Sequence, residues 1–466
     1  MNLTQSEMNE RLQDYGKRIE ALAQSLGLSY YPVDFELVPN NFMNEVAIYG
    51  LPIRMPHWSF GVRYIHQLIR QSMGNSRIFE VMFPGNPCHG YLVNTNTLAE
   101  NTLVTAHVLG HADFAKNNHL FARFAEMSGT NIVEHAAAQA HRIEQAVRDH
   151  GQQRVESLLD AALALEPHVD LNQELHRPLY PTHAPKRSER AQVSEASFTG
   201  RFRHLPGETE RAEPPREHKL APIPPRPESD LLWFIAHYGP ELEDWERDVF
   251  LAVRYESFYF YPVFACNIMN EGWATFWHAR LLREADFLPG ELYLDAITCH
   301  SNVVRPFAGA QQAALAINPY HVGFSMWERI VEQQGIERAR EIRRDEDDFG
   351  FIRNYLDEEL TERLGLFVYE AKASDGIKIA ARDVNKVREA ILAPKFNYGA
   401  PRINVGEMRQ DGTLVLVHDH VADGRGLDLE RAARVVQYVH RPWRRPVILQ
   451  TVDSRGATHE IRSAAA

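Results

Sequence analysis

The sequence predicts a mainly α-helical protein, in which a helical core domain with a short strand pair is joined to a small C-terminal α+β module. Two observations carry this prediction. Long stretches rich in Ala, Glu, Gln and Arg favour helices. Apolar runs of strand character are confined to 78–93 and to the region after 365. A Pro- and charge-rich segment at 181–229 separates the helical stretches.

Composition excludes several classes of protein. The 466 residues include 50 Lys+Arg and 62 Asp+Glu, which gives a formal net charge of −12 and disfavours nucleic acid as a partner. A single core rarely exceeds roughly 250–300 residues, so more than one folding unit is expected. No apolar run reaches the roughly 18–20 residues of a membrane-spanning helix, and the polar opening is unlike a secretory signal. Three scattered cysteines form no disulfide framework. We therefore expect a cytoplasmic protein without a membrane span.

The N-terminal part, 1–180, is predicted to be the first half of the helical core. Residues 78–93 are apolar but interrupted by Pro and Gly, which predicts two short extended pieces around a turn. Thr97 and Glu100 have capping-box spacing, so a helix is expected to begin there. A further long helical run is predicted over 131–165.

Residues 181–229 are predicted to be a linker or a long surface excursion, because they contain too few aliphatic residues to build a core. Helical signals return over 230–365, the second half of the core, where Asp230 is a plausible N-cap. Large aromatic residues recur from Trp233 to Trp277. We interpret them as a packed core rather than as a ligand cage.

The last segment, 366–466, is predicted to be a small α+β module. Asp-Gly pairs at 375–376 and 411–412 are typical of hairpin turns. Helices are expected near 384–393 and 428–440, and the apolar run PVILQTV is expected to form a strand near the end of the chain.

The sharpest local motif is the pair His107 and His111. Residues four apart lie one above the other on a helix, so both imidazoles could reach one metal ion. The spacing is that of the zincin HExxH motif, but Val108 occupies the position of its glutamate, so the usual general base is missing. The alternative is that both histidines are ordinary surface or capping residues.

A second motif contains Glu271 and His278, two helical turns apart among apolar and aromatic neighbours. His107, His111 and Glu271 together match the three protein ligands of a catalytic zinc site, and the same set also suits iron or manganese. We predict that their ligand atoms converge within roughly 3–5 Å. His278 is the first candidate for the missing acid/base group, or for a group that supports a ligand, and Glu256 is the second. The competing interpretation is a structural pair between Glu271 and an arginine or His278.

Other candidates are weaker. A carboxylate-bridged di-metal oxidase, a third possible function, would require Glu134, His141 or Glu144 to join the site, although these positions are also typical of a solvated helix face. Glu256 could instead form a buried ion pair with the neighbouring Arg254. Residues 347–348 are interpreted as a charged surface run before a helix. The sequence has no P-loop, GxGxxG, GxSxG or CxxC motif, which leaves the corresponding chemistries without support.

Several segments, spread over most of residues 30–460, carry a family resemblance. They are MPHWSFG (55–61), NPCHGYLVNTNT (86–97), HVLGHADFAKNN (107–118), DLLWFIAHYGPELEDWERDVFLAVRYESFYFYP (230–262), IMNEGWATFWH (268–278), NPYHVG (318–323) and DDFGFIRNYL (347–356). In these segments the chain resembles the SpoVR family, named for stage V sporulation protein R.

The resemblance implies a cytoplasmic protein linked to spore cortex formation, with a serine kinase and a von Willebrand-type protein as partners. The chain departs from the family pattern at Tyr255, where relatives tend to have a glutamate, and at Asn267, where they tend to have a lysine. The EGWA segment that begins at Glu271 also looks like the glutamate-ligand helix of some zinc peptidases, by analogy alone.

Two functions are therefore carried forward. The first is a metal-dependent amidase or peptidase that acts on peptidoglycan-related material, with zinc as the first choice of divalent metal. Because mature cell wall lies outside the cytoplasm, this function would require a precursor or a protein as the substrate. The second is a non-catalytic scaffold or regulatory partner in a sporulation or stress pathway, in which the His/Glu cluster is structural.

Overall fold

The fold was analysed in a computed structural model that describes residues 5–51, 53–72, 79–128, 132–181, 221–305, 317–372 and 376–463. The protein is mainly α-helical with small sheets, as the sequence predicts. It divides into two compact units. Unit 1 comprises Met1–Leu159 and Ala252–Ala400, and unit 2 comprises Asp160–Leu251 and Pro401–Ala466.

The secondary structure is as follows. The helices are α1 (Gln5–Ser25), α2 (Asn40–Tyr49), α3 (Trp58–Ser72), α4 (Leu98–Asn117), α5 (His119–Ser128), α6 (Ile132–His150), α7 (Gln152–Ala164), α8 (Leu231–Tyr238), α9 (Asp244–Ala265), α10 (Asn267–Glu284), α11 (Gly290–Val303), α12 (Pro319–Asp345), α13 (Asp348–Tyr355), α14 (Glu358–Arg363), α15 (Val384–Leu392), α16 (His420–Asp423) and α17 (Leu429–Trp443). A 3-10 helix spans Ala393–Gly399. The strands are β1 (Val33–Val38), β2 (Glu80–Phe83), β3 (Cys88–Val93), β4 (Val368–Lys372), β5 (Gly376–Ala381), β6 (Ile403–Met408), β7 (Leu414–His418), β8 (Val447–Val452) and β9 (Thr458–Arg462).

The predicted strand pair at 78–93 is present as β2 and β3, which are antiparallel with Glu80 opposite Leu92. Strand β1, which no sequence pattern predicted, runs parallel to β3 and completes a sheet of order β1-β3-β2. A parallel partner so distant along the chain leaves no local turn signal. Glu80 is therefore the first residue of β2, an edge strand of this sheet.

Most of the predicted helix starts are confirmed. The Thr97 hydroxyl accepts from the Glu100 N–H, and the Glu100 carboxylate accepts from the Thr97 N–H, which completes the capping box of α4. Asp230 caps α8 by accepting from the Trp233 N–H at 2.9 Å. The predicted run 131–165 is two helices, because Gly151 adopts a positive φ of 86° between α6 and α7.

Three helices of unit 1, α4, α10 and α12, pack with their backbones unusually close. Gly110 of α4 faces Ala274 of α10, where an added Cβ would lie 2.6 Å from the Ala274 Cα. Gly272 of α10 faces Gly323 of α12, where an added Cβ would lie 2.3 Å from the Gly323 carbonyl carbon. Only glycine permits these contacts, so both crossings depend on it. They fix α10 between the other two helices.

The aromatic-core interpretation also holds within unit 1. Trp273 and Trp277 of α10 and Trp327 of α12 are fully buried. The rings of Trp273 and Trp327 meet edge to face at 4.8 Å, and Trp327 packs at 4.7 Å against Phe351. Such pairs add to the stabilisation from apolar burial and hold α10 in one orientation.

The interpretation of residues 347–348 as a charged surface run was wrong for Asp348, which is fully buried. Its carboxylate accepts from the N–H groups of Ile268 and Met269 at 2.9 and 2.8 Å, and it pairs with Lys395 at 2.8 Å. Asp348 therefore satisfies the first N–H groups of α10 from outside that helix. Asp347 caps α13 by accepting from the Gly350 N–H.

In unit 2, a four-stranded sheet has the order β6-β7-β8-β9. The predicted hairpin at 411–412 is confirmed, since β6 and β7 are antiparallel and Gly412 has a φ of 83°. The predicted helix near 428–440 is α17, which buries Val436, Val439 and Trp443. The expected strand PVILQTV is β8, which runs parallel to β7.

The predicted domain boundaries stay predictions. Most of the predicted linker, 182–220, lies outside the described residues, whereas Ile223 and Glu228 form bridges with β6 inside unit 2. The other predicted hairpin joins β4 and β5, which pair antiparallel, and its turn at 373–375 also lies outside the described residues. These two strands and α15, the helix predicted near 384–393, belong to unit 1.

Candidate metal centre

Two neighbouring helices of unit 1 bring three metal-ligand side chains to one point. His107 and His111 lie on α4, and Glu271 lies on α10, with their ligand atoms all within 4.8 Å of one another. Glu271 Oε2 is 3.4 Å from His111 Nε2 and 3.6 Å from His107 Nε2. The structure therefore assembles the predicted set, although 160 positions separate Glu271 from His111 along the chain.

The close helix crossing explains the convergence. Gly110 directly precedes His111, and its contact partner Ala274 lies three residues after Glu271. Because α4 and α10 touch through backbone at this crossing, side chains beside it reach the same space. Both histidines are buried, with 2% of His107 and 8% of His111 exposed.

The donor atoms have the properties that a metal site requires. His107 Nε2 and Glu271 Oε2 are buried without a hydrogen-bond partner in the described part of the chain, which is costly for polar atoms unless an ion satisfies them. Ligand atoms about 2.0–2.1 Å from a tetrahedral ion lie about 3.4 Å from each other. The measured separations of 3.4 and 3.6 Å match that spacing. Two imidazoles and one carboxylate thus fit a divalent ion.

His107 is hydrogen-bonded to His278, which is in turn hydrogen-bonded to His300. His107 Nδ1 is 3.0 Å from His278 Nδ1, and His278 Nε2 is 2.7 Å from His300 Nδ1. If His107 presents the lone pair of Nε2 to a metal, its Nδ1 carries the proton and donates a hydrogen bond to His278 Nδ1. His278 is then protonated at Nε2 and donates to His300. The chain of bonds is consistent with one proton on each ring.

The other two ligands also have fixed neighbours. His111 Nδ1 lies 2.9 Å from the side-chain oxygen of Asn270, so its proton can sit there and leave Nε2 free to bind. The Thr275 hydroxyl donates to the backbone carbonyl of Glu271 at 2.7 Å, a contact within α10 that does not involve the Glu271 carboxylate. Asn270 was not singled out in the sequence analysis, although it directly precedes the ligand Glu271.

Glu80 is the functional group that the sequence analysis missed. Its Oε1 lies 3.8 Å from His107 Nε2, the nitrogen that also faces Glu271. Burial, together with the negative charge of Glu271, raises the pKa of Glu80 to about 7. No motif marks Glu80, because it belongs to a strand remote from both histidine and glutamate segments. Its carboxyl group is nevertheless within reach of the ligand set.

Tyr320, near the start of α12, is a second residue that the sequence analysis missed. Its ring centre lies 6.0 Å from that of His107. The negative charge of Glu271, burial and the charge of Glu80 raise the pKa of Tyr320 well above its ordinary value. The phenol therefore keeps its proton and can act as a hydrogen-bond donor beside the ligand set.

The charges of the three ligands are coupled. Burial and the neighbouring His111 lower the pKa of His107 to about 4. Burial opposes protonation of His111 as well, but Glu271, Asn270 and Glu80 outweigh it and raise the pKa of His111. Burial would raise the pKa of Glu271, yet His111 and His107 hold it well below its usual range. The protein itself thus favours a neutral His107 and an ionised Glu271, the forms in which each binds a metal, whereas the raised pKa of His111 favours a protonated form that must lose a proton to bind.

The remaining sequence candidates lie outside this set. Glu256 is buried, and its Oε2 accepts from Arg54 Nε at 2.5 Å. Glu256 therefore forms a buried ion pair with Arg54, and the pair with Arg254 stays a prediction. The Arg254 guanidinium lies 4.8 Å from the Phe258 ring centre.

The positions proposed for a second metal do not join the set either. His141 and Glu144 contact each other at 3.6 Å on α6, with 79% and 46% of their side chains exposed. Glu134 lies on the same helix. In the described residues, the group that could hold a metal consists of His107, His111 and Glu271 alone.

Fold and site together define a mainly helical protein with a buried His–His–Glu cluster. The described helices include none that is both long and apolar enough to cross a bilayer. The chain belongs to the SpoVR family, described as SpoVR like protein, which matches residues 6–399. It is similar to the uncharacterized protein YcgB of Escherichia coli (strain K12), with 27% identity over 476 residues, 95% of this chain and 92% of that protein. No solved structure matches the chain. The family resemblance expected from the sequence is thus confirmed.

Proposed function

We propose that the protein is a metal-dependent hydrolase of amide or peptide bonds, with His107, His111 and Glu271 as ligands of one divalent ion. The observation that supports this most directly is the pair of buried, unpartnered ligand atoms, His107 Nε2 and Glu271 Oε2, in the described residues. An ion between them removes an energetic cost that the protein alone leaves in place. Zinc is our first choice, and iron or manganese would fit the same donors.

A bound ion would supply Lewis acidity and a water molecule of lowered pKa. Among the described residues, Glu80 would be positioned to act as a general base beside such an ion, because its Oε1 lies 3.8 Å from His107 Nε2. Glu80 therefore takes the role for which the sequence suggested His278 or Glu256. His278 instead orients His107 through the 3.0 Å bond between their Nδ1 atoms. Tyr320 would use its phenol proton to hold the Glu271 carboxylate, since a side-chain hydrogen bond with Glu271 contributes to the raised pKa of Tyr320.

This chemistry indicates the kind of bond that is cleaved, an amide or peptide bond, and does not identify the molecule that contains it. A peptidoglycan precursor or a protein is our proposal for a cytoplasmic enzyme, and the link to sporulation and the spore cortex is carried by the family resemblance. The serine kinase and von Willebrand-type partners stay predictions on the same basis.

The metal is tested first. Elemental analysis of the purified protein is expected to give one ion per chain, and His111→Ala is expected to lose it. His141→Ala is the matched control, because His141 lies on a helix of the same unit but is 79% exposed and outside the ligand set. Equal metal content in the two variants would contradict the assignment of His111 as a ligand.

Turnover is tested next, with peptide and amide substrates that include peptidoglycan stem peptides. Glu80→Gln is expected to keep the ion and to lower turnover by about 10²–10⁴-fold. Glu36→Gln, on the exposed side of β1 in the same sheet, should have no effect. If the wild-type protein binds its ion but cleaves nothing, and Glu80→Gln alters only stability, the scaffold function replaces the hydrolase. The absence of a glutamate at Val108 is the observation that favours that alternative.

A further inference from the structure

Helix α3 buries Phe60 and exposes other apolar side chains to solvent. Phe60 is its buried anchor, with its ring edge to face against Tyr49 at 5.0 Å. Val62 and Ile65 lie about 200° and 140° around the helix from Phe60, because each residue turns a helix by about 100°. They are 45% and 60% exposed, and Leu68 beside them is 42% exposed. Leu68 lies about 80° around the helix from Phe60, so the apolar stripe, defined as Val62, Ile65 and Leu68, runs from the side opposite Phe60 to the flank of the helix.

The sequence segment that contains α3 has a charge opposite to that of the whole chain. Between Glu45 and Glu80 the sequence contains four arginines, at 54, 63, 70 and 77, and no acidic residue, while the protein carries a net charge of −12. Arg54 is engaged inside the unit with Glu256. Arg63 is exposed on α3, so the helix presents a cation beside the stripe.

An anionic surface is the partner that this combination fits. A stable dimer needs roughly 800 Å² from each subunit, which is more than three partly exposed side chains provide. A helix with an apolar stripe, an exposed arginine and no acidic residue is instead typical of peripheral binding to a bilayer. Trp58, 54% exposed at the start of α3, is a residue type that is enriched at the membrane interface. We propose that α3 docks the protein peripherally on membranes that contain anionic phospholipid.

The test uses the full chain and sedimentation with vesicles. Wild-type protein is expected to bind vesicles of phosphatidylcholine with phosphatidylglycerol at low salt, and to bind pure phosphatidylcholine weakly. Ile65→Glu should lower the partition coefficient by at least about tenfold, since it removes an apolar contact and adds a charge that the lipid repels. Leu294→Glu is the matched control, because Leu294 is 65% exposed on α11 between Glu291 and Asp295.

Two further variants keep the result independent of folding. Val62→Glu should reproduce the loss, and Arg63→Gln should weaken binding only to the anionic vesicles, with urea midpoints unchanged. Equal binding of Ile65→Glu and Leu294→Glu would overturn the proposal, as would no binding of the wild type. A concentration-dependent dimer that Ile65→Glu dissociates would also overturn it, because the stripe would then be a contact between copies. These measurements do not depend on metal content or turnover.

Discussion

Replacing Gly110 by alanine tests whether the close crossing of α4 and α10 builds the site. The new Cβ would lie 2.6 Å from the Ala274 Cα, whereas ordinary contact begins near 3.4 Å, so the helices must separate by about 0.8 Å. Backbone atoms cannot rotate away, so the cost falls near the upper end of the about 1–3 kcal/mol typical of overpacking. Alanine recovers about 1 kcal/mol of helix propensity. The net expectation is a loss of about 2 kcal/mol.

The same displacement should weaken metal binding. Ligand distances in metal sites are held to about 0.2 Å, and a shift of about 0.8 Å moves both histidines away from Glu271. We expect the metal affinity to fall by about 10–100-fold, a loss comparable to that from mutating the groups that support a ligand. Urea denaturation followed by circular dichroism gives the stability, and competition with a chromophoric chelator gives the affinity.

Gly61→Ala is the matched control. Gly61 is also inside a helix, but an added Cβ meets nothing within 4 Å, so alanine should stabilise the protein by about 1 kcal/mol. The two substitutions are chemically identical and are expected to have opposite signs. If Gly110→Ala proved as stable as Gly61→Ala and kept its metal affinity, the backbone contact could not be what positions the ligands.

Two other predictions concern buried charges. Asp113→Asn should cost about 3–5 kcal/mol in urea unfolding, because it leaves the Arg343 guanidinium buried without its counter-charge; a loss below about 1 kcal/mol would show that the pair is dispensable. His168 in unit 2 is buried, and burial lowers its pKa from 6.5 to about 4. The stability that the neutral imidazole contributes is therefore complete above pH 6.5 and is lost as the pH falls toward 4. At pH 5 this linkage amounts to about 2 kcal/mol, so the urea midpoint of His168→Gln should fall less between pH 7 and 5 than that of the wild type; parallel curves would refute this.

The local features of the fold were predictable because their causes are local. The capping box at Thr97 and the N-cap at Asp230 are satisfied within three residues of the chain, and both were identified from the sequence. Asp348 was misassigned because its reasons for burial are distant: its partners Ile268, Met269 and Lys395 lie on other elements. Sequence patterns predict a charged pair in a polar run as solvated, and only tertiary contacts reverse that.

The site was predictable in part for the same reason. His107 and His111 share a helix face, which the four-residue spacing gives directly. Their meeting with Glu271 could be inferred only from the demand of buried ligands for a partner, because the glycine contacts that create the crossing are invisible in the sequence. Glu80 carries no such signal. It is one glutamate among many until the sheet places it beside His107.

The geometry around Val108 explains why a strand, and not the helix itself, supplies this carboxylate. Val108 is fully buried, and its Cγ1 would lie 3.3 Å from a Cβ added at Gly90 of β3, so this position faces the sheet. Gly90 pairs with Met82, and Glu80 lies two residues before Met82 on the same face of β2, the face toward α4. The sheet thus places the Glu80 carboxylate beside His107, whereas position 108 of the helix packs against the sheet.

This geometry predicts that restoring the HExxH motif will fail. Val108→Glu would place a carboxylate in apolar contact with the sheet, where burial of an unpaired charge should cost at least about 3 kcal/mol. We therefore expect a lower urea midpoint and no gain of hydrolysis over the wild type. Val108→Leu, which keeps the position apolar, is the control and should cost much less. An active and stable Val108→Glu protein would mean that position 108 faces the ligand set, and that Glu80 is not needed as the base.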